Sequence, residues 1–514
     1  MIYYLENADK QHGLNPDLFS AEEIKQDLAA IKELKIKNGS DLNTLLANVE
    51  YRLTKDYLNY TCWIGFGMIN PQRVLNNLED EEPKDGKIPQ TATGENKKKV
   101  VYTIPLESYE ANYLKDALKA IKADLPGFLQ SLQPQNDFYT SLQKEYARID
   151  SLSKIEMPVI PEIGNTLLKV GDQHDALPLI AQKLALLGYL PEYDTSDTTR
   201  ILTQELLEAV NAFRDKHRLS RDISLGSYTI RALNRPMETY KKQIRLNMER
   251  LRWKQKPEKG DKYVRVNVAA FMLQAIDTTN DSTLEMRVCC GTPLNKTPLL
   301  SGKIHYMELN PYWNVPKSII RREMIPAYQR DTAYFSKNKL RVYNKDGKEL
   351  NPHAIPWSKY HGYVPFDIKQ DNKEGNSLGR IIFRFPNSFS VYLHDTPSRW
   401  SFMKTNRAVS HGCIRVEQAL DFAFFLLRDK EDLLMDRIRI AMGLVAETEE
   451  GQKFADKKNY KDMKYHILKQ DVPVFLDYYT MYLSKNGNLS YCEDIYKFDE
   501  PLIQALDSLN NLKE

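Results

Sequence analysis

His394 and Cys413 are the side chains in this sequence whose types and spacing could do chemistry together. His394 is followed, after 15 residues, by Ser410-His411-Gly412-Cys413-Ile414-Arg415. A thiol is mostly protonated at neutral pH and needs a neighbouring base or a positive potential to act as a thiolate nucleophile. His394 is the candidate base and Cys413 the candidate nucleophile, which together are the parts of a cysteine acyl-transfer site. Gly412 would let the backbone approach a substrate carbonyl, and the amides around Gly412 and Cys413 could donate to an oxyanion.

These groups need elements to hold them. The run Phe389-Ser390-Val391-Tyr392-Leu393-His394 alternates and reads as a strand, with Tyr392 and His394 on the face lining the site and Val391 and Leu393 on the core face. After Cys413, Leu420, Phe424 and Leu427 fall at helical spacing with Glu417 and Asp421 early. That places the thiol just before a helix N-terminus, where the dipole favours a thiolate. Alternatively, Cys413 is an ordinary buried thiol, since free cysteine usually behaves as a small hydrophobe. Two His and one Cys could also make a zinc site with one open position, although the chain has no His-Glu-x-x-His motif.

The whole string, His394-Asp395-Thr396-Pro397 followed by Ser410-His411-Gly412-Cys413-Ile414-Arg415, resembles the signature of the L,D-transpeptidase (YkuD-like) catalytic domain. The resemblance implies that His394 is the base, oriented by the backbone carbonyl of Asp395, and Cys413 the nucleophile. It implies that His411 shapes the oxyanion turn and that no cofactor is needed. Many members carry Asn two residues after the Cys, where this chain has Arg415, a residue placed to hold a substrate carboxylate. Tyr392, Ser410, Trp357 and Tyr360 are read with Arg415 as substrate-binding positions. The implied activity is a peptidoglycan L,D-transpeptidase making 3→3 cross-links through a Cys thioester, with a donor tetrapeptide stem and an amine acceptor as partners. Other cell-wall synthesis enzymes are further candidate partners. The same residues could serve an L,D-carboxypeptidase, in which water takes the thioester, or the chain could be a non-catalytic wall-binding scaffold.

Composition narrows the classes. At 514 residues there is room for two to four domains. A net charge of +3 with 27% charged residues gives no reason to expect nucleic acid. The five cysteines, Cys62, Cys289, Cys290, Cys413 and Cys492, are too few and scattered for a disulfide framework. Met1-Ile2-Tyr3-Tyr4-Leu5-Glu6 has neither the basic nor the apolar region of a signal peptide, which taken literally means a cytoplasmic protein. Because the resemblance implies a wall substrate, the expectation is instead a periplasmic or cell-envelope protein whose export signal lies outside this sequence.

The expected fold class is α+β and multidomain. Residues 1–160 read as a helical scaffold, with helices over Tyr109 to Ala123 and Phe138 to Leu152 and a loop from Asp80 to Lys99. Residues 164–235 carry Gly171-Asp172, Leu187-Gly188-Tyr189-Leu190, Ala209-Val210 with Phe213, and Thr229 with Ala232-Leu233-Asn234, an order that resembles a three-helix peptidoglycan-binding domain. Residues 236–261 read as a linker helix. Residues 262–500 read as the mostly β catalytic domain, with a hairpin of Tyr263 to Val268 and Leu284 to Val288 and late strands from Val472 to Tyr479 and Tyr491 to Tyr496. Residues 501–514 read as a tail. The polar stretch 331–379 resembles the capping insert of the larger L,D-transpeptidases, and is expected to be a lid with Gly379 as its hinge.

Overall fold

The computed structural model describes residues 1–33, 39–76, 100–106, 112–190, 199–253, 261–360, 362–372, 374–457 and 463–509. The loop read from Asp80 to Lys99 lies outside them. Two compact units emerge, one made of Met1–Asn77, Ile104–Glu258 and Tyr478–Glu514, the other of Leu78–Thr103 and Lys259–Asp477.

The first unit is helical. Its long helices Gly39–Phe66, Asp137–Leu152 and Met237–Arg252 bury apolar faces in two cores, one around Leu14, Tyr57, Tyr60 and Leu129, the other around Tyr139, Tyr146, Ile244 and Met248. Asn136 caps the second of these helices, its side chain accepting from the Tyr139 amide at 2.9 Å. The helix read as a linker is therefore an inner element of this unit. Two further boundaries are corrected here. Met481–Leu483 and Leu489–Tyr491 pair with each other as a separate hairpin, and Met481 and Tyr491 join the core around Met237–Arg252 instead of extending the catalytic sheet. Asp499–Ser508 is a helix and not a tail.

Helices Leu177–Leu186, Gln204–Lys216 and Ser227–Leu233 enclose a core of their own that includes Ile180, Leu184, Val210, Phe213 and Ile230. This subunit of the fold is not free-standing. Lys216 Nζ lies 3.3 Å from the buried Glu145 carboxylate, which also accepts from Tyr491 Oη at 2.7 Å, and His217 stacks on Tyr491.

Burial at these joints makes the unit sensitive to acid. Desolvation, helped by the Arg252 charge, pushes His12 down to about 3, and desolvation pushes His217 down to about 4 against its bond to the Phe213 carbonyl. The folded state refuses protons that the unfolded chain accepts below about 6.5, so this stability is complete above that pH and is lost as pH falls toward the folded values. The urea midpoint of the intact protein should fall steadily from pH 6.5 to 4.5. A midpoint that His217→Gln leaves with the same pH slope would contradict this account.

The second unit is built on a nine-stranded sheet. Its strands are β1 Lys262–Asn267, β2 Met272–Asp277, β3 Ser282–Gly291, β4 Leu300–Leu309, β5 Ile381–Arg384, β6 Leu393–His394, β7 Ala408–Ser410, β8 Ile414–Val416 and β9 Tyr465–Asp477. They pair in the order β7-β3-β8-β6-β5-β4-β9-β1-β2, and an additional β2–β3 pairing joins the far end back to β3. Strand β2 was not expected from sequence. The turn at Asn280 therefore closes a β2–β3 hairpin, with Asp277 opposite Ser282, rather than joining β1 to β3 directly.

The insert is not a polar loop. Trp313–Asn314, Asp367–Gln370, Leu340–Tyr343 and Glu349–Leu350 form a four-stranded sheet in that order. Val315, Ile320, Met324, Tyr328, Phe335, Val342 and Ile368 make its core, so the compact cap begins near residue 313 and not 331. Gly379 is not a free hinge. It has φ +66°, and a Cβ there would meet Asp395 Oδ2 at 2.4 Å.

Candidate active site

The site is made by strand register. β6 and β8 run parallel, with Leu393 opposite Ile414 and His394 opposite Arg415, and Ile414 N–H donates to Tyr392 O at 3.0 Å. Leu393 and Ile414 are fully buried. Side chains alternate along a strand, so Tyr392, His394, Cys413 and Arg415 share the other face. All four line one cavity of about 640 Å³. The strand itself is shorter than expected: residues 389–391 form a turn closed by Asn387, whose side chain bonds to Val391 N and O, and Ser390 takes φ +56°.

His394 is 4% exposed, and its Nδ1 lies 2.6 Å from Asp395 O. A carbonyl only accepts, so Nδ1 carries the proton and Nε2 keeps its lone pair. The Asp395 carboxylate does a different job. It accepts from Arg380 N–H at 2.9 Å and pairs with Arg399 at 3.3 Å, holding the Leu378-Gly379-Arg380 turn whose Leu378 carbonyl also bonds to His394. Burial, reinforced by the Arg415 charge, lowers His394 to about 4 despite these carbonyls.

The turn before Cys413 is locked from within. Ser410 Oγ donates to Cys413 O at 2.6 Å and accepts from Gly412 N–H at 3.1 Å, while Thr297 Oγ1 donates to Gly412 O at 2.9 Å. Gly412 sits at φ +115°, a conformation that L side chains rarely adopt. Its amide is already engaged, so the oxyanion role read for Gly412 is not supported. Ser410 is buried and shapes the turn more than it offers itself to a ligand. The expected helix start after Cys413 is also absent: Ile414-Arg415-Val416 pairs as β8, and the helix begins only at Ala419. That helix therefore does not start beside the sulfur.

What acts on it is Tyr392 and two guanidinium groups. Burial raises the Cys413 thiol above its ordinary value; hydrogen bonds from Tyr392, through both amide and phenol, and the charges of Arg384 and Arg415 work against that rise. The resting pair is therefore neutral thiol and neutral imidazole. Arg384 was missed from sequence. It pairs with Glu308 at 2.7 Å, and its guanidinium lies 4.5 Å above the Tyr392 ring. The only hint was a lone charge ending the apolar run Ile381-Ile382-Phe383. Thr297, fully buried in the turn that follows β3, was missed as well.

Of three further expected positions, two resolve differently. His411 lines the cavity, and its Nε2 pairs with Glu323 of the cap. Trp357 is 4% exposed and packs on Phe335 and Tyr328 in the cap core, with its Nε1 donating to Pro352 O. Tyr360 packs edge-on to Phe366. Neither aromatic lines the cavity, so their reading as substrate contacts is corrected. Among the described residues no group of three or more His, Cys, Asp and Glu side chains could hold a metal ion.

Residues 261–440 match the family model described as the L,D-transpeptidase catalytic domain (YkuD), and residues 1–145 match one described as a scaffold domain. A protein of Haemophilus influenzae named putative L,D-transpeptidase is 31% identical over 237 residues, 46% of this chain and 44% of the relative. The chain thus spans less than half the length of that relative. Among solved structures, an L,D-transpeptidase from Mycobacterium smegmatis is 17% identical with a TM-score of 0.18, over 32% of this chain and 53% of that one. An L,D-transpeptidase (Yku) from Stackebrandtia nassauensis is 14% identical with a TM-score of 0.18, over 52% of this chain and 90% of that one. Scores this low carry no weight beside the sequence matches. The sequence matches liken residues 261–440, within the β-rich unit, to an L,D-transpeptidase catalytic domain of the YkuD family.

Proposed function

We propose that this protein is a peptidoglycan L,D-transpeptidase that forms 3→3 cross-links between stem peptides through a thioester on Cys413. The observation that carries the reading is the β6–β8 register, which sets His394, Cys413, Tyr392 and Arg415 on one face of one cavity. The sulfur attacks the carbonyl between the third stem residue and the terminal D-Ala as its proton passes to His394 Nε2. The tetrahedral intermediate collapses, the C–N bond breaks, and the imidazolium protonates the departing amine. An acceptor amine then attacks the thioester and passes a proton to His394 Nε2, the new C–N bond forms as the C–S bond breaks, and that proton moves on to sulfur. Arg415 supports a carboxylate-bearing substrate: it lines the cavity, and its buried Nε has no hydrogen-bond partner among the described residues.

The three-helix subunit at 164–235 fits a peptidoglycan-binding role because it has a core of its own and contributes none of the residues lining the cavity. A wall substrate would place the protein in the periplasm or cell envelope. Mass analysis of products from purified tetrapeptide muropeptides tests the main reading. Cross-linked dimer with released D-Ala is expected, whereas hydrolysed tripeptide as the sole product would make the protein an L,D-carboxypeptidase.

A further inference from the structure

The cavity wall separates its charges by element. Arg384 and Arg415 are rooted in the sheet beside Cys413, while Glu323, the one carboxylate among the wall's described residues, comes from the cap. Its position follows from a π-helical turn, Ile320–Met324, inserted between the helical segments Lys317–Ile319 and Ile325–Arg330. Ile320 and Met324 go into the cap core, and Glu323 is left 51% exposed at the cavity. Such widened turns recur at functional sites. Glu323 pairs with His411 Nε2, two residues before the nucleophile, and the Tyr334 phenol lies within its field. Since His411 is 39% and Glu323 51% exposed, the pair is open to solvent, where such pairs contribute little stability.

We infer that Glu323 binds the ammonium group of the acceptor stem and so makes the cap the element that selects amine over water. This rests on the transpeptidase reading above and deepens it. The two substrates of that reaction differ in charge at their reacting ends: the donor's departing residue presents a carboxylate, suited to the arginines, and the acceptor presents a primary amine, suited to a lone acid. The docked ammonium first releases a proton to solvent. The resulting amine attacks the thioester carbonyl, the C–N bond forms, the C–S bond breaks, and the remaining displaced proton passes through His394 Nε2 to sulfur.

The test uses the full chain with purified tetrapeptide muropeptide, comparing wild type, Glu323→Gln and Glu323→Asp. In Glu323→Gln the ratio of cross-linked dimer to hydrolysed tripeptide should fall by about tenfold or more with a raised KM for acceptor, as expected for loss of a charged partner. Acylation of Cys413 by a small β-lactam, which needs no acceptor, should change less than about twofold, and Glu323→Asp should recover part of the ratio. An unchanged ratio overturns the inference. So does an equal loss of acylation and transfer, which would mean that Glu323 merely latches the His411 turn. If wild type acylates but makes no amine-dependent product, the transpeptidase reading itself fails, an outcome separable because it appears before any substitution.

Discussion

A carbapenem added to the purified protein should give a single covalent adduct by intact-mass spectrometry, and Cys413→Ala should give none. The family resemblance supplies the drug class; the structure supplies the reason for one adduct. All five cysteines are free thiols, but Cys289, Cys290 and Cys492 are buried and Cys62 lies in the other compact unit. Burial also raises the Cys62, Cys289 and Cys290 thiols, the latter two strongly. Among the described cysteines Cys413 alone lines the cavity, together with a histidine whose Nδ1 is held by the Asp395 carbonyl. Turnover of muropeptides should vanish with the adduct, because Cys413 is the one thiol among the described residues lining the cavity. An adduct that persists in Cys413→Ala would remove this residue from the mechanism.

His394→Ala should lower turnover by about 10² to 10⁴, the usual worth of a general base, and His411→Ala by far less. The difference follows from their surroundings. His394 is buried and held by two backbone carbonyls, its Nδ1 by that of Asp395, whereas His411 is half-exposed with its Nε2 spent on Glu323. The pH profile carries a second check. His394 must be neutral to act, and burial with the Arg415 charge lowers it to about 4, so activity should persist well below pH 6.5 and fail only as pH approaches that lowered value. Alkylation of Cys413 by iodoacetamide should in turn be slow at pH 7 and rise above the ordinary thiol range, since the resting sulfur is protonated. An acid limb near pH 6.5, or equal losses in the two histidine variants, would show that the base has been misassigned.

These expectations rest on residues of two kinds. His394, His411 and Cys413 were legible as candidates because the chemistry they can do is written in their types and in a short interval along the chain, whereas the roles read for Ser410 and Gly412 were not. The positive φ at Gly412 and the bond from His394 to the following carbonyl are likewise local, needing only neighbouring residues. The helical character of the first unit was legible for a similar reason: apolar spacing along Asp137–Leu152 and Met237–Arg252 reports one buried face per helix.

Register and packing decided the rest, because they depend on pairing between distant segments. Arg384 and Glu308 reach the thiol's neighbour Tyr392 only through the pairing of β5 with β4 and β6, with Ile382 opposite both Glu308 and His394. The segment after Cys413 satisfied its backbone by pairing with β6 and β3 before turning helical, which moved the expected helix start away from the sulfur. Trp357 and Tyr360 show the same dependence. An aromatic in a polar stretch can wall a substrate or fill a core, and the cap sheet closing from Trp313 to Gln370 gave these two a core to fill. The sequence by itself thus determined which groups could react, since reactivity is a property of side chains. Tertiary structure alone decided which other charges face them, because a strand shifted by one residue turns every side chain to the opposite face.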